Sequence, residues 1–403
     1  MKIQTSFGEV HVLTNCPLLN STETLEWMTE VHESFGGSEL RYPLRDAPRQ
    51  YLNFNYTEMR KAMGDLFHML YANLRKQWGI PLRQVKRTIP DMADSDYVIL
   101  NAADTIADLR VGFAFIESSE GGQVVEITER GRYIIIQEEI RDPETDEIIQ
   151  PLITEYQDGF RLSAPITATN AVIMPLRICI IDGDASINAG GFWSNASVVF
   201  RVLAEDLPEH EGDVPEQFKG QDIYFKPLLL DGDSLEMTLT QHQNFVDGSI
   251  GGFQQYTHHT KPKYLKPFIS VLKDWSEFNA YRRFLFRRSG RSRAFWMPLY
   301  EKHLNVLNTS EITSALSIDT AYQVDANRKH IAIKRKDGSC TAHEITARTG
   351  NSLTISPSAD VHINDVQTIC YLGLYRLDAD RVEFQFLGAG KTRVTVPIVE
   401  IDN

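Results

Sequence analysis

Long hydrophobic runs are absent from this sequence of 403 residues. No apolar stretch approaches the roughly 18 residues that a membrane-crossing helix needs. The opening Met1-Lys2-Ile3-Gln4-Thr5 lacks the basic and then apolar order of a secretion signal. Together these predict a soluble chain made inside the cell, with no membrane partner. Cysteine is scarce: Cys16, Cys179, Cys340 and Cys370 stand far apart without paired spacing. That excludes a zinc ribbon and a disulfide framework and predicts small, buried apolar residues. Positive charge is in deficit, with a net charge of −13. A protein that grips a phosphate backbone neutralises many phosphates with Lys and Arg, so this balance excludes that as the main task. It permits a surface past which DNA slides without sticking.

Catalytic signatures are also missing. There is no Gly-x-Ser-x-Gly elbow, and no cysteine sits in a basic, helix-starting context that would favour a thiolate. Three aspartate pairs, Asp182/Asp184, Asp231/Asp233 and Asp378/Asp380, tempt a calcium reading. The twelfth position counted from Asp182 is Trp193 rather than a bidentate Glu, so tight turns explain them better. His258 and His259 are adjacent and point to opposite faces of a strand. The expectation is no enzyme, no catalytic residue, no cofactor and no metal.

The stretch "FLGAGKTRV" (386–394) ends in Gly390-Lys391-Thr392, like the tail of a phosphate-binding loop. Such a loop needs an earlier glycine, where this chain has Gln385, and a helix directly afterwards. The next residues, Arg393-Val394-Thr395-Val396-Pro397-Ile398, alternate in polarity and are rich in β-branched side chains. They predict a hairpin turn into a closing strand.

What the chain does have is itself, twice. "PLLNSTETLEW" (17–27) returns as "PLLLDGDSLEM" (227–237), and "GGSELRYPLRDAPRQYL" (36–52) answers "GGFQQYTHHTKPKYL" (251–265). A helical stretch at 57–82, with Met59, Met63, Leu66, Phe67, Leu70 and Leu74 at three- and four-residue spacing, matches 275–299. In the latter, Asp274 or Ser276 offers an N-cap, Phe278, Tyr281, Phe284 and Leu285 form the stripe, and Gly290 is a stop. Both helices exit into aromatic-proline turns, Trp78-Gly79-Ile80-Pro81-Leu82 and Phe295-Trp296-Met297-Pro298-Leu299. Phe113-Ala114-Phe115 then faces Ile331-Ala332-Ile333, and Glu-Ile-Thr-x-Arg recurs at 126–130 and 344–348, at an offset near 218. After an extra loop at 137–159 the offset falls to 196, which lays 192–206 over 388–401.

These matches predict a mostly β, α+β chain of two tandem domains. Each is an antiparallel sandwich or split barrel with one amphipathic helix packed on it. The first copy covers 1–207, an acidic linker joins it at 208–220, and the second copy covers 221–403. Arg282, Arg283, Arg287, Arg288, Arg291 and Arg293 make a basic cluster, and Arg41, Arg45 and Arg49 alternate on a strand-like segment. A solvated helix face or an ion-paired contact explains such clusters better than nucleic acid. Aromatics beside proline either plug a core or anchor a contact between subunits, where Trp, Phe and Arg are enriched. The candidate subunit interface is therefore Trp78, Pro81, Leu82, Arg287, Arg288, Arg291, Phe295, Trp296 and Pro298.

The phrases "ELRYPLRDAPRQ" and "GRSRAFWMPL", in this order around a helix, resemble tail proteins of long-tailed, non-contractile bacteriophages. The similarity is to the distal-tail and baseplate-hub group encoded after the tape-measure protein, and it covers most of the chain. The resemblance implies a tail-tube-like fold in each copy and a structural role in a ring at the tail tip, assembled in the host cytoplasm. The implied partners are the tail tube protein, the tape-measure protein and the baseplate hub or central fibre proteins. Two like domains per chain fit either a trimer imitating sixfold symmetry or a hexamer with one domain outside the ring. A carbohydrate- or receptor-binding module of the tail tip is the alternative expectation.

Overall fold

The structure is a computed structural model that describes residues 1–401 except 6–7, 20, 35, 100–108, 138–139, 142–147, 151–152, 204–214, 227–236, 241–243, 257–261, 320–327 and 389. At 132–158 and 301–303 the backbone alone is described. The fold is mostly β with two α-helices. Twenty of its strands, ten from each half, share one plan, and only these are numbered. In the first half these are β1 (Thr22–Glu26), β2 (Thr29–Glu33), β3 (Glu39–Pro43), β4 (Arg49–Met59), helix α1 (Arg60–Asn73), β5 (Trp78–Pro81), β6 (Gly112–Ser118), β7 (Gly121–Gln137), β8 (Val172–Ile181), β9 (Ser186–Asn188) and β10 (Trp193–Val202). In the second they are β11 (Thr238–Thr240), β12 (Asn244–Asp247), β13 (Phe253–Tyr256), β14 (Lys263–Leu272), helix α2 (Trp275–Arg288), β15 (Phe295–His303), β16 (His330–Arg335), β17 (Cys340–Thr349), β18 (Val366–Leu377), β19 (Arg381–Gly388) and β20 (Lys391–Glu400).

Eight antiparallel pairings recur. β1–β4, β2–β3, β4–β10, β5–β8, β6–β7, β6–β8, β8–β10 and β9–β10 in the first half answer β11–β14, β12–β13, β14–β20, β15–β18, β16–β17, β16–β18, β18–β20 and β19–β20 in the second. The registers repeat as well. Trp78 pairs with Cys179 and Pro81 with Leu176, and adding 217 to the first members and 196 to the second gives Phe295–Tyr375 and Pro298–Leu372, both observed. Thr24–Tyr51 and Val31–Arg41 become Thr238–Leu265 and Phe245–Gln255 when 214 is added to every member. In the helices an offset of 215 carries buried Met63, Leu66 and Leu70 onto buried Phe278, Tyr281 and Leu285.

Two sequence matches shift. Paired through the same register to β8 and β18, Ala114 lies where Ile331 lies, an offset of 217 rather than 218. A slip of one residue exchanges the two faces of a strand, so Ala114 and Ile116, not the flanking phenylalanines, share the inward face with Ile331 and Ile333. β11 aligns with β1 at an offset of 214, four more than the match of 17–27 to 227–237 implies, because the strand register rather than the Leu-Glu doublet sets it. The described residues of 137–159, expected as a loop, are strand. β7 runs to Gln137 and pairs with a strand from Ile153 to Ala168, so that Gln137 faces Ile153.

Alternation builds the sheet. Along β4 the even positions Gln50, Leu52, Phe54 and Tyr56 turn inward, and along β20 Thr392, Val394, Val396 and Ile398 do. The core beneath both helices is continuous across the halves, running from Trp78, Phe54 and Leu66 to Phe268, Phe295 and Tyr281. Each such side chain contributes about 1.5–3 kcal/mol on burial. Of the acidic segment expected as a linker, 208–214 lie outside the described residues. Gln217–Phe218 pairs with Gln221–Asp222 and packs on the second half, where Trp296 Nε1 donates to the Phe218 carbonyl at 2.8 Å.

Candidate assembly interface

The two halves meet along β1. This strand pairs with β4 of its own half on one side and with β19 of the second half on the other, Thr22 opposite Gln385 and Glu26 opposite Arg381. The result is a ribbon in the order β9–β10–β4–β1–β19–β20–β14–β11. The β1–β19 pairing is the one link in it without a counterpart in the repeat. Among the described residues β9 and β11, at the two ends, pair on one side only.

Side chains from β1 and Trp27 then clasp α2, and the β2–β3 hairpin holds the turn after α2 together with β14 and β18. Arg282 Nη2 lies 3.1 Å from Glu23 Oε1, both side chains being almost wholly buried, and Gln50 Nε2 donates to the same oxygen at 2.8 Å. Trp27 packs edge-on against Phe286 with ring centroids 5.7 Å apart. Gly290, at φ +63°, lies so close to Trp27 that an added Cβ would sit 2.8 Å from the Trp27 Cβ, so a larger residue would force a shift. Asp380 Oδ2 accepts from Thr29 N at 2.8 Å while its Oδ1 accepts from Arg291 N at 3.0 Å, so one carboxylate holds both halves. Farther along, Arg376 on β18 donates to both oxygens of Glu39 at 2.7 and 3.0 Å, and Lys263 reaches Glu39 at 3.1 Å and Glu33 at 2.6 Å. Burial pushes the Glu39 carboxyl up, but the hydrogen bonds and charges of Arg376 and Lys263 outweigh it and hold it below the usual carboxylate range. Arg376, which burial pulls down, is raised above its ordinary value by Glu39 and Asp378.

The residues expected at a subunit interface are engaged within the chain. Trp78, Pro81, Leu82, Phe295, Trp296 and Pro298 are buried inside this one chain, as the core plug that aromatics beside proline can form. A side chain with no surface offers nothing to a partner. Arg287 and Arg288 converge on buried Asp222 at 2.7 and 2.8 Å, and Arg291 binds Asp380 at 3.3 Å and the Thr29 carbonyl at 2.7 Å. Burial draws the Arg288 guanidinium down to about 10. Arg282, Arg287, Arg288 and Arg291 of the basic cluster thus make ion pairs within the chain, while Arg293 is exposed. Their partners Glu23, Asp222 and Asp380, and Glu39 opposite Arg376, carry no local signal of these pairings, which span 65 to 337 residues.

α2 ends as the sequence predicts, with Asp274 accepting from Glu277 N at 2.9 Å and Ser289 left-handed at φ 50° before Gly290. The glycine-rich 386–394 stretch is the β19–β20 hairpin, with Gly388 opposite Lys391 and Gly388 and Gly390 at positive φ. It leads into strand, not helix. Cys179, Cys340 and Cys370 are buried and Cys16 is exposed. Asp231, Asp233, His258 and His259 lie outside the described residues. Among the described residues no group of three or more His, Cys, Asp or Glu is placed to hold a metal, and no helix is long and apolar enough to cross a membrane.

The two helices differ in their cover. α2 is covered by β1 and Trp27, whereas the matching face of α1 is open: Phe67 is 45% and Tyr71 80% exposed, stacked at 6.0 Å, with Leu74 beyond. The β12–β13 hairpin, counterpart of β2–β3, is exposed throughout and shows Phe245, Val246, Phe253 and Tyr256. No protein-family model matches the chain, and no curated protein matches it.

Proposed function

We propose that this chain is a structural virion protein of a phage tail tip. It forms a ring that joins the tail tube to the baseplate or central fibre and surrounds the passage for DNA. Its catalytic repertoire is empty on this reading, and its chemistry is that of subunit contacts. The observation that carries it is the junction at β1. One unit reaches onto a second of the same plan in a head-to-tail sense, and among the described residues both end strands of the pair are paired on one side only, the arrangement from which closed rings of like units are built. The tail assignment itself comes from the resemblance of "ELRYPLRDAPRQ" and "GRSRAFWMPL". The net charge of −13 supports a channel past which DNA moves without counterion-release binding.

The test is direct. Mass spectrometry of gradient-purified virions should find the chain in a small fixed copy number, and immunogold labelling should place it at the tail end distal to the head. Disruption of its gene should leave heads without functional tails. Absence from purified virions sinks the reading.

A further inference from the structure

We propose that a second copy of this chain covers the open face of α1, docking there with its β11 edge and its β12–β13 hairpin in the way that β1 and β2–β3 dock on the second half within one chain. The inference rests on the reading of the molecule as two like units in a head-to-tail series, and it names the surfaces that continue the series.

The inner junction predicts the outer one by register. In the inner contact Glu23 faces Phe384 and Thr24 faces Glu383. Adding 214 to the β1 residues gives Met237 and Thr238. Subtracting 197, the offset at which Ile187–Ala196 and Phe384–Val394 correspond after 198 is applied to the partner strand, gives Ile187 and Ser186. The open edge of β11 therefore meets the open edge of β9 in the next chain, with Thr238 opposite Ser186. Both edges are unpaired on that side among the described residues, and an unpaired edge is a template for a strand from another molecule.

Three inner ion pairs carry over in kind, whereas Lys263 with Glu39, at 3.1 Å, maps to Arg49 and Phe253, a cation beside an aromatic ring. Inner Glu23 and Arg282, a buried ion pair at 3.1 Å, map to Met237 and Phe67, both apolar and both exposed. Inner Glu39 and Arg376, a second ion pair, map to Phe253, which is 62% exposed, and half-buried Ile180. Inner Glu33 and Lys263, at 2.6 Å, map to Asp247 and Arg49, with the signs kept. Phe286, buried against Trp27, maps to Tyr71. At each of the three pairs both outer members have changed together or stayed together. Residues on two faces that never meet have no reason to match in kind. An apolar outer contact also suits faces that lie in water before assembly, because burying Phe67, Tyr71, Met237 and Phe253 carries no penalty for desolvating charge.

The experiment uses the full chain with Cys16→Ser, which removes the exposed thiol, and adds Ser186→Cys, Thr238→Cys or both, at two exposed positions. Directly opposed strand residues lie within disulfide reach. Under mild oxidation the double variant should give disulfide-linked multiples of 45.9 kDa on a non-reducing gel. Mixing the two single variants should stop at a two-chain product, and neither alone should link. Adding Tyr71→Lys, on the exposed α1 face, should cut the linked product about tenfold or more, the factor corresponding to about 1.4 kcal/mol, with circular dichroism unchanged. No linked product at any protein concentration overturns the proposal, as does self-linking of Ser186→Cys alone, which marks a twofold contact, or linking that ignores Tyr71→Lys. A chain that links as expected but is missing from virions removes the tail assignment alone. A chain found at the tail tip that fails to link removes this inference alone.

Discussion

Arg376 on β18 donates two hydrogen bonds, of 2.7 and 3.0 Å, to Glu39 on the β2–β3 hairpin, 337 residues earlier in the chain. Removing one member of a buried pair strands the other's charge, which typically costs about 3–5 kcal/mol. Lys263 stays 3.1 Å from Glu39, so Arg376→Met should fall near the lower end, about 3 kcal/mol in urea denaturation monitored by tryptophan fluorescence. Adding Glu39→Leu should recover part of that loss. A loss under about 0.5 kcal/mol, the level of a solvated surface pair, would show that the hairpin does not hold the halves together.

The same contact sets an acid dependence. Glu39 is held below its ordinary carboxylate value when folded, so protons bind more readily to the unfolded chain. Its contribution is fully present above the unfolded value, about 4.3, and is lost as pH falls through the folded one. Stability of the native chain should drop on acidification below about pH 5. Glu39→Gln should be less stable at neutral pH and show a shallower drop. Parallel curves for the two proteins would remove Glu39 from the account.

Arg282 and Glu23 test the clasp nearer the core. Both are side chains in the interior, and Glu23 also accepts from Gln50. Arg282→Met should destabilise by about 3–5 kcal/mol because a carboxylate is left without its cation, whereas Glu23→Leu with Arg282→Met should cost less than the single change. A double-mutant cycle in guanidinium measures it, and additive losses would deny the coupling.

Much of the plan was legible in the sequence because a repeat carries its own control. The helices at 60–73 and 275–288, the aromatic-proline exits and the closing hairpin at Gly388 all declare themselves by spacing. Registers were legible only approximately. Matching like alternating motifs can place a strand one residue out of phase, and "FAF" against "IAI" is one residue away from the pairing that hydrogen bonds enforce, which exchanges its faces. Composition alone also could not tell an internal contact from an external one. Trp78, Phe295 and the arginines of α2 have the composition of a subunit contact, but Trp78 and Phe295 plug the cores of their own halves, and of the arginines Arg282 and, just past the helix, Arg291 reach across to the first half. Composition reports that a contact exists but does not report whether a linker has made it internal. The surfaces that do lie open, Phe67 with Tyr71 and the β12–β13 hairpin, become visible only when the two helices are compared in register.

Two glycines, one inside α1 and one just past α2, should respond oppositely to alanine. Gly64 sits within α1, where an added Cβ would meet nothing within 4 Å, and α1 has no side-chain N-cap to reinforce it. Gly64→Ala should stabilise by about 0.5–1 kcal/mol by restricting the unfolded chain and favouring helix. Gly290 lies just past α2 at φ +63°, and a Cβ there would lie 2.8 Å from Trp27 Cβ and run into Asp380 Oδ1. Gly290→Ala combines a strained backbone with displacement of the carboxylate that holds Thr29 and Arg291, so it should lower stability by about 1–3 kcal/mol or more. Thermal denaturation of the two variants beside the native chain measures both signs. If Gly290→Ala is neutral, the close approach of Trp27 to α2 is not what locks the first half onto the second, and the clasp must rest on its ion pairs alone.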